Sequence, residues 1–189
     1  EQFCPEYNEW RAAARMVNNR GKVAVGTLGG KIYTVGGEDN IRCCSSVERY
    51  CSKIVTKAML TRRTRAVAAV LEGHLYVIGG NDGEMHLFEL PLENSIKHLH
   101  LLLIVWCPCL LSVYRYNPVD GTWSICAHML SPRENAGCAV YLGHIYVAGG
   151  KDELNLDLCG TERFDPETMR DNVSNGSLKH IRCQASLLI

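Results

Sequence analysis

The chain has 189 residues, enough for one domain with a substantial core. Its twenty basic and twenty acidic side chains cancel, and nothing in the sequence looks like the basic face or stripe that nucleic acid needs. A hydrophobic share of 47% against 21% charged residues excludes a wholly disordered chain.

In chain order, Pro5, Trp10, Met16 and Arg20 come first, then an apolar strand over residues 23–28 and a turn glycine, Gly30. A second strand, 32–35, closes on Gly36 and Gly37, and a third, 46–50, ends at Tyr50. The same series restarts at Arg63 with strand 67–71, Gly73, strand 75–78, Gly79 and Gly80. It restarts again at Arg133 with strand 136–142, Gly143, strand 145–148, Gly149 and Gly150. Measured back from the first glycine of each pair, tyrosine recurs at one offset (Tyr33, Tyr76, Tyr146) and arginine at another (Arg20, Arg63, Arg133). Chance does not hold several features in register three times, and a fixed period of this size marks stacked repeats. The small apolar first strands predict burial on both faces. The turn glycines predict hairpins, and the paired glycines predict a bulge, a tight turn or close approach of a neighbouring backbone.

Third strands recur at 112–116 and 161–164, each followed by an Asx-Pro turn, Asn117-Pro118 or Asp165-Pro166. Trp123 then opens a fourth strand, and Met129 follows it as Met16 follows Trp10. The register breaks in places. The stretch from about 84 to 111 is a Leu-rich insertion that resembles none of the repeats; proline and tryptophan are missing after Tyr50; and Asp171 stands where a tryptophan is expected. A possible strand restarts at residues 182–185.

Four strands per unit, a double glycine and an outer tryptophan resemble the kelch repeat, and the combination is similar to the repeat region of the BTB-kelch (kelch-like) family. The fold class expected is all-β: a kelch-type β-propeller fragment of four-stranded antiparallel blades, about three blades plus two partial ones. The division is 1–16 as the end of a preceding blade, 17–60 as a blade, and 61–130 as a blade interrupted by the insertion. Residues 131–177 form a further blade and 178–189 the start of another.

The resemblance implies a protein–protein interaction module without catalytic activity, the substrate-recognition propeller of a cullin-3 ubiquitin ligase adaptor. Cullin-3 would be engaged only through a BTB domain outside this sequence. Actin or cytoskeletal binding, and a non-functional partial product, are the alternatives. By the same resemblance the binding face is built from the loops after each double glycine and the residues leading into each first strand. Those are Glu38, Asp39 and Asn40, then Asn81, Asp82 and Gly83, then Lys151, Asp152 and Glu153, with Arg20, Arg63 and Arg133. Arginine grips carboxylates bidentately, which suits an acidic peptide; the alternative is that each arginine bonds backbone carbonyls or a nearby acid within its own blade. The tyrosines and tryptophans, in strict register, are expected to pack blades, and His74 and His144 to occupy surface turns.

No phosphate loop, dinucleotide fingerprint or Ser-His-Asp arrangement occurs, and no cofactor is expected. His98, His100, Cys107 and Cys109 carry metal-ligating groups, but their spacing is unlike common zinc modules. Residues 101–111 are apolar but too short to span a bilayer, which takes about 20 residues. Ten irregularly placed cysteines without a C-x-x-C pair, and residues 1–10 that do not read as a signal peptide, point to reduced thiols and a cytoplasmic protein.

Overall fold

The computed structural model describes residues 1–50, 54–84, 86–89, 103–106 and 109–165. Pro166, the strand expected at 182–185, Asp171 and the ligand candidates His98, His100 and Cys107 lie outside the described residues.

All regular structure among these residues is strand. The chain opens on a hairpin of β1 (Gln2–Cys4) and β2 (Glu9–Arg11). The first blade follows as β3 (Ala24–Leu28), β4 (Lys31–Val35), β5 (Val47–Arg49) and β6 (Ile54–Thr56), hydrogen-bonded in that order. The second blade starts with β7 (Val67–Leu71) and β8 (His74–Ile78). A separate hairpin, β9 (His86–Glu89) and β10 (Leu103–Trp106), leaves it within the insertion, and β11 (Val113–Asn117) and β12 (Thr122–Ile125) complete it. The third blade contributes β13 (Gly137–Tyr141), β14 (His144–Ala148) and β15 (Thr161–Phe164). Every pairing within the blades is antiparallel.

Local chemistry sets the hairpins. In each blade the first two strands are joined by two residues, both with positive φ: Gly29 and Gly30, Glu72 and Gly73, Leu142 and Gly143. This is the type I′ geometry whose twist matches that of paired strands. The first blade forms its fourth strand although tryptophan is missing there. Val47, Glu48 and Arg49 pair with Thr56, Val55 and Ile54, so backbone bonding suffices without the outer aromatic anchor.

The innermost strands β3, β7 and β13 stand side by side, with β7 in the middle. Two apolar clusters fill the gaps between blades. Leu28, Tyr33, Val35 and Val47 of the first blade meet Leu75, Val77, Tyr114 and Tyr116 of the second. Tyr76, Ile78, Val113 and Met129 meet Ile145, Val147 and Phe164 of the third. The tyrosine register is therefore a packing register: Tyr33 tilts against Tyr116 at 5.9 Å between ring centroids and Tyr76 against Phe164 at 5.6 Å. The expectation of first strands buried on both faces is corrected at the ends. Val25 of β3 and Val140 of β13 are 50% and 42% exposed, because only the middle blade has a neighbour on each side. The result is a partial propeller.

Candidate partner-binding rim

The three arginines hold each blade together at one end. Arg20 Nη1 donates to the carbonyls of Gly36 and Ser46, both at 3.0 Å, and Nη2 to Glu48 Oε1 at 2.6 Å. Arg133 repeats this with Gly149, Gly160 and Glu162 at 2.8, 3.0 and 2.6 Å. Arg63 donates to the carbonyls of Gly79 and Ser112 at 3.0 and 2.7 Å. Where the other blades place a carboxylate it has Tyr114, whose ring centroid lies 4.2 Å from the guanidinium carbon. Each arginine thus ties the double glycine that ends the second strand to the start of the third. The arginine side chains are buried, and burial holds the Arg63 pKa below its ordinary value. Their Nη groups donate to carbonyls, acids and, for Arg63, a hydroxyl of their own blades, the alternative the sequence had left open beside partner binding, while Arg20 Nε and Arg133 Nε are buried without a partner among the described residues.

The glutamates do a second job. Glu48 accepts the backbone N–H groups of Val17 and Asn18, and Glu162 those of Leu130 and Ser131, which pins the segment leading into each blade. Glu48, Glu162 and Tyr114 were not singled out in the sequence; the repeated Ser-Val or Gly-Thr lead into the third strand marks their common position.

The loop residues form a rim at that end. Glu38, Asn81 and Lys151 each make backbone bridges with the residue after the arginine, namely Gly21, Thr64 and Glu134. The following aspartates, Asp39, Asp82 and Asp152, share one position and turn back to accept N–H groups two to four residues on. Those backbone donors hold the Asp39 carboxyl below its ordinary range. Asn40 and Glu153 project from the rim, exposed.

Polar bonds stitch the rim from blade to blade. Lys22 pairs with Glu38, and Thr64 Oγ1 donates to Glu38 Oε2 at 3.3 Å. Arg65 Nη1 and Asn81 Nδ2 reach the two oxygens of Glu134 at 2.7 and 2.6 Å. Lys22, Arg65 and Asn135 all have positive φ at one repeat position. Glu38 is held below its usual 4.5, first by its bond from Lys22, with burial opposing. A lowered folded value means that this stabilisation is present above pH 4.5 and is lost as pH falls through the lowered value. Glu38→Gln is therefore expected to lower the urea midpoint at pH 7 and to leave it unchanged relative to wild type near pH 3. Equal losses at both pH values refute the assignment.

The remaining motifs fall elsewhere. His74 and His144 lie at the opposite end, their Nδ1 atoms 2.8 and 2.6 Å from the carbonyls of Glu72 and Leu142, so they cap turns as expected. Trp123 Nε1 donates to Lys57 O at 2.9 Å, clasping the preceding blade, while Trp10 is 67% exposed beside Phe3. The seven described cysteines form no disulfide with one another, and burial pushes the Cys43 and Cys126 thiols up to about 11. Among the described residues no group of three or more His, Cys, Asp or Glu side chains is placed to hold a metal, and no helix is long and apolar enough to cross a membrane.

The family profile of the Kelch motif matches residues 19–53 and 132–168. Two of the three blades carry a kelch motif. The intervening blade, outside both matched stretches, is the one that carries the insertion. Kelch-like protein 35 of Mus musculus is 28% identical over 88% of this chain and 33% of its own length. Kelch-like ECH-associated protein 1B of Danio rerio is 33% identical over 63% of this chain and 18% of its own length. The chain thus spans about a third or less of the length of these relatives. The solved structure of YjhT superposes with a TM-score of 0.54 at 16% identity, covering 75% of this chain and 37% of that one, and shares the fold.

Proposed function

We infer that this rim binds a segment of another protein without chemistry of its own, and that it presents that protein to a cullin-3 ubiquitin ligase in the cytoplasm. One observation carries the reading: loops from three successive blades are delivered to one rim and fixed there by a polar seam. Rigid scaffolds that present variable loops are how repeat folds recognise partners. Kinship with kelch-like proteins supports the ligase context, in which cullin-3 is reached through a BTB domain outside these residues. The arginines support the rim from within, and the exposed loop side chains make the contact.

The test places a photo-cross-linker at Asn40 or Glu153 in cells. The expected result is a captured protein whose ubiquitination falls when cullin-3 is depleted, and whose affinity for the chain without cross-linker drops about tenfold or more when Asn40 and Glu153 are both replaced by arginine. Affinity that survives both substitutions, or a partner that proves to be filamentous actin, overturns the reading.

A further inference from the structure

The middle blade departs from its two neighbours at one point. In the first and third blades a glutamate of the third strand, Glu48 or Glu162, accepts from the arginine and from the two N–H groups three and two residues before it. The second blade places Tyr114 there. Among the described residues no acidic side chain meets Arg63 or the N–H groups of Leu60 and Thr61. Arg63 is wholly buried, so its charge stands away from water without a counter-charge, which is costly. A carboxylate fills this place twice in the same chain and is missing the third time.

Thr61 is the residue at the gap that can acquire a charge. Its Oγ1 accepts from Arg63 Nε at 3.3 Å and lies 3.5 Å from Tyr114 Oη. It is half-buried, between Leu60 and Arg62, both exposed, in the segment that leads from the first blade into the second. The residues at its repeat position are Asn18, which has no hydroxyl, and Ser131, whose N–H already meets Glu162 at 3.1 Å. Of the three, only Thr61 combines a hydroxyl with a missing carboxylate. An anion from solvent has no such access, since Arg63 is closed off, whereas a group carried on Oγ1 is delivered to it.

We propose that Thr61 is a phosphorylation site, and that its phosphate gives the middle blade the anion that Glu48 and Glu162 give its neighbours. A protein kinase transfers the γ-phosphoryl group of a nucleoside triphosphate. The bond from Oγ1 to phosphorus forms, the bond to the departing nucleoside diphosphate breaks, and the hydroxyl proton passes to the kinase's base. The product carries nearly two negative charges and three strong acceptor oxygens, enough for charge-assisted bonds to Arg63 and to the N–H groups of Leu60 and Thr61. Thr64 and Arg65, next along the segment, hold the rim seam to Glu38 and Glu134. The modification therefore fixes the rim where the second blade joins the first.

The test does not depend on what the rim binds. The full chain is prepared with phosphate on Thr61, separately with phosphate on Ser131, and unmodified, and the three are unfolded in urea. Phosphate on Thr61 is expected to raise the folding equilibrium constant about tenfold or more, the scale of one added hydrogen bond to a charged group, and the urea midpoint with it. Phosphate on Ser131 is expected to lower the midpoint, because there it is forced against Glu162. Mass spectrometry of the chain purified from animal cells is expected to find phosphate on Thr61. A midpoint that falls or stays unchanged with phosphate on Thr61, a rise of the same size with phosphate on Ser131, or a cellular chain without phosphate on Thr61 overturns the proposal.

Discussion

Gly36→Ala is expected to cost about 4 kcal/mol of stability, and Gly149→Ala only about 1 kcal/mol. The two glycines share a repeat position and a backbone conformation, with φ of +62° and +63°, so the left-handed strain added by a side chain is the same at both. Their neighbours differ. A Cβ on Gly36 would overlap the carbonyl oxygen of Arg63 in the next blade, whereas a Cβ on Gly149 would find its nearest atom, the Leu158 carbonyl oxygen, at an ordinary 3.5 Å. The Arg63 backbone has little room to retreat. Its carbonyl accepts from Gly37 at 2.7 Å, its N–H donates to Cys44 at 3.0 Å, and its side chain is held in the second blade. Gly79, which faces the Arg133 carbonyl, belongs with Gly36. Urea midpoints of the two variants against wild type give the comparison. Equal losses would mean that conformation alone explains the paired glycines and that blade approach contributes nothing.

The same contrast shows what was legible beforehand. Double glycine, tyrosine and arginine are read from the sequence because each has a fixed neighbour: in the first two blades a passing backbone and a ring of the next blade, and in all three two carbonyls of the same blade. The role of the arginines was less legible, since their anionic partners lie 28 and 29 residues further on and a tyrosine replaces the acid in the second blade. The rim seam left no residue-type signature at all. Lys22, Arg65 and Asn135 share a backbone conformation and an inter-blade hydrogen bond, not a side-chain chemistry. Met59, buried between the first two blades in the position of Met16 and Met129, went unseen because its guide tryptophan is missing. The insertion hid hairpin β9–β10, whose short apolar strands lie in a Leu-rich stretch without repeat register.

Arg63→Met is expected to cost roughly 2–5 kcal/mol, about 1–3 kcal/mol for a buried carbonyl left without its donor and about 1–2 kcal/mol for the lost contact with the Tyr114 ring. Arg63 is wholly buried yet has no carboxylate, so its charge rests on the Gly79 and Ser112 carbonyls, the Ser112 and Thr61 hydroxyls and the face of Tyr114. Methionine fills much of the volume and strands no acid, so the loss measures chiefly the buried Gly79 carbonyl, since that of Ser112 still accepts the Gly79 N–H at 3.3 Å. Arg63→Lys keeps a charge but presents no planar fork that can bridge two carbonyls while lying flat on a ring; about half the loss is expected. The ring's share comes from a double-mutant cycle with Tyr114→Leu, which keeps an apolar side chain in the first cluster. A coupling of about 1–2 kcal/mol is the signature of a desolvated cation–π contact. Chemical denaturation of the four proteins at one protein concentration supplies the cycle. Additive losses would assign the arginine's contribution to its carbonyl bonds alone, and Arg63→Met stability within about 1 kcal/mol of wild type would refute its part in holding the second blade together.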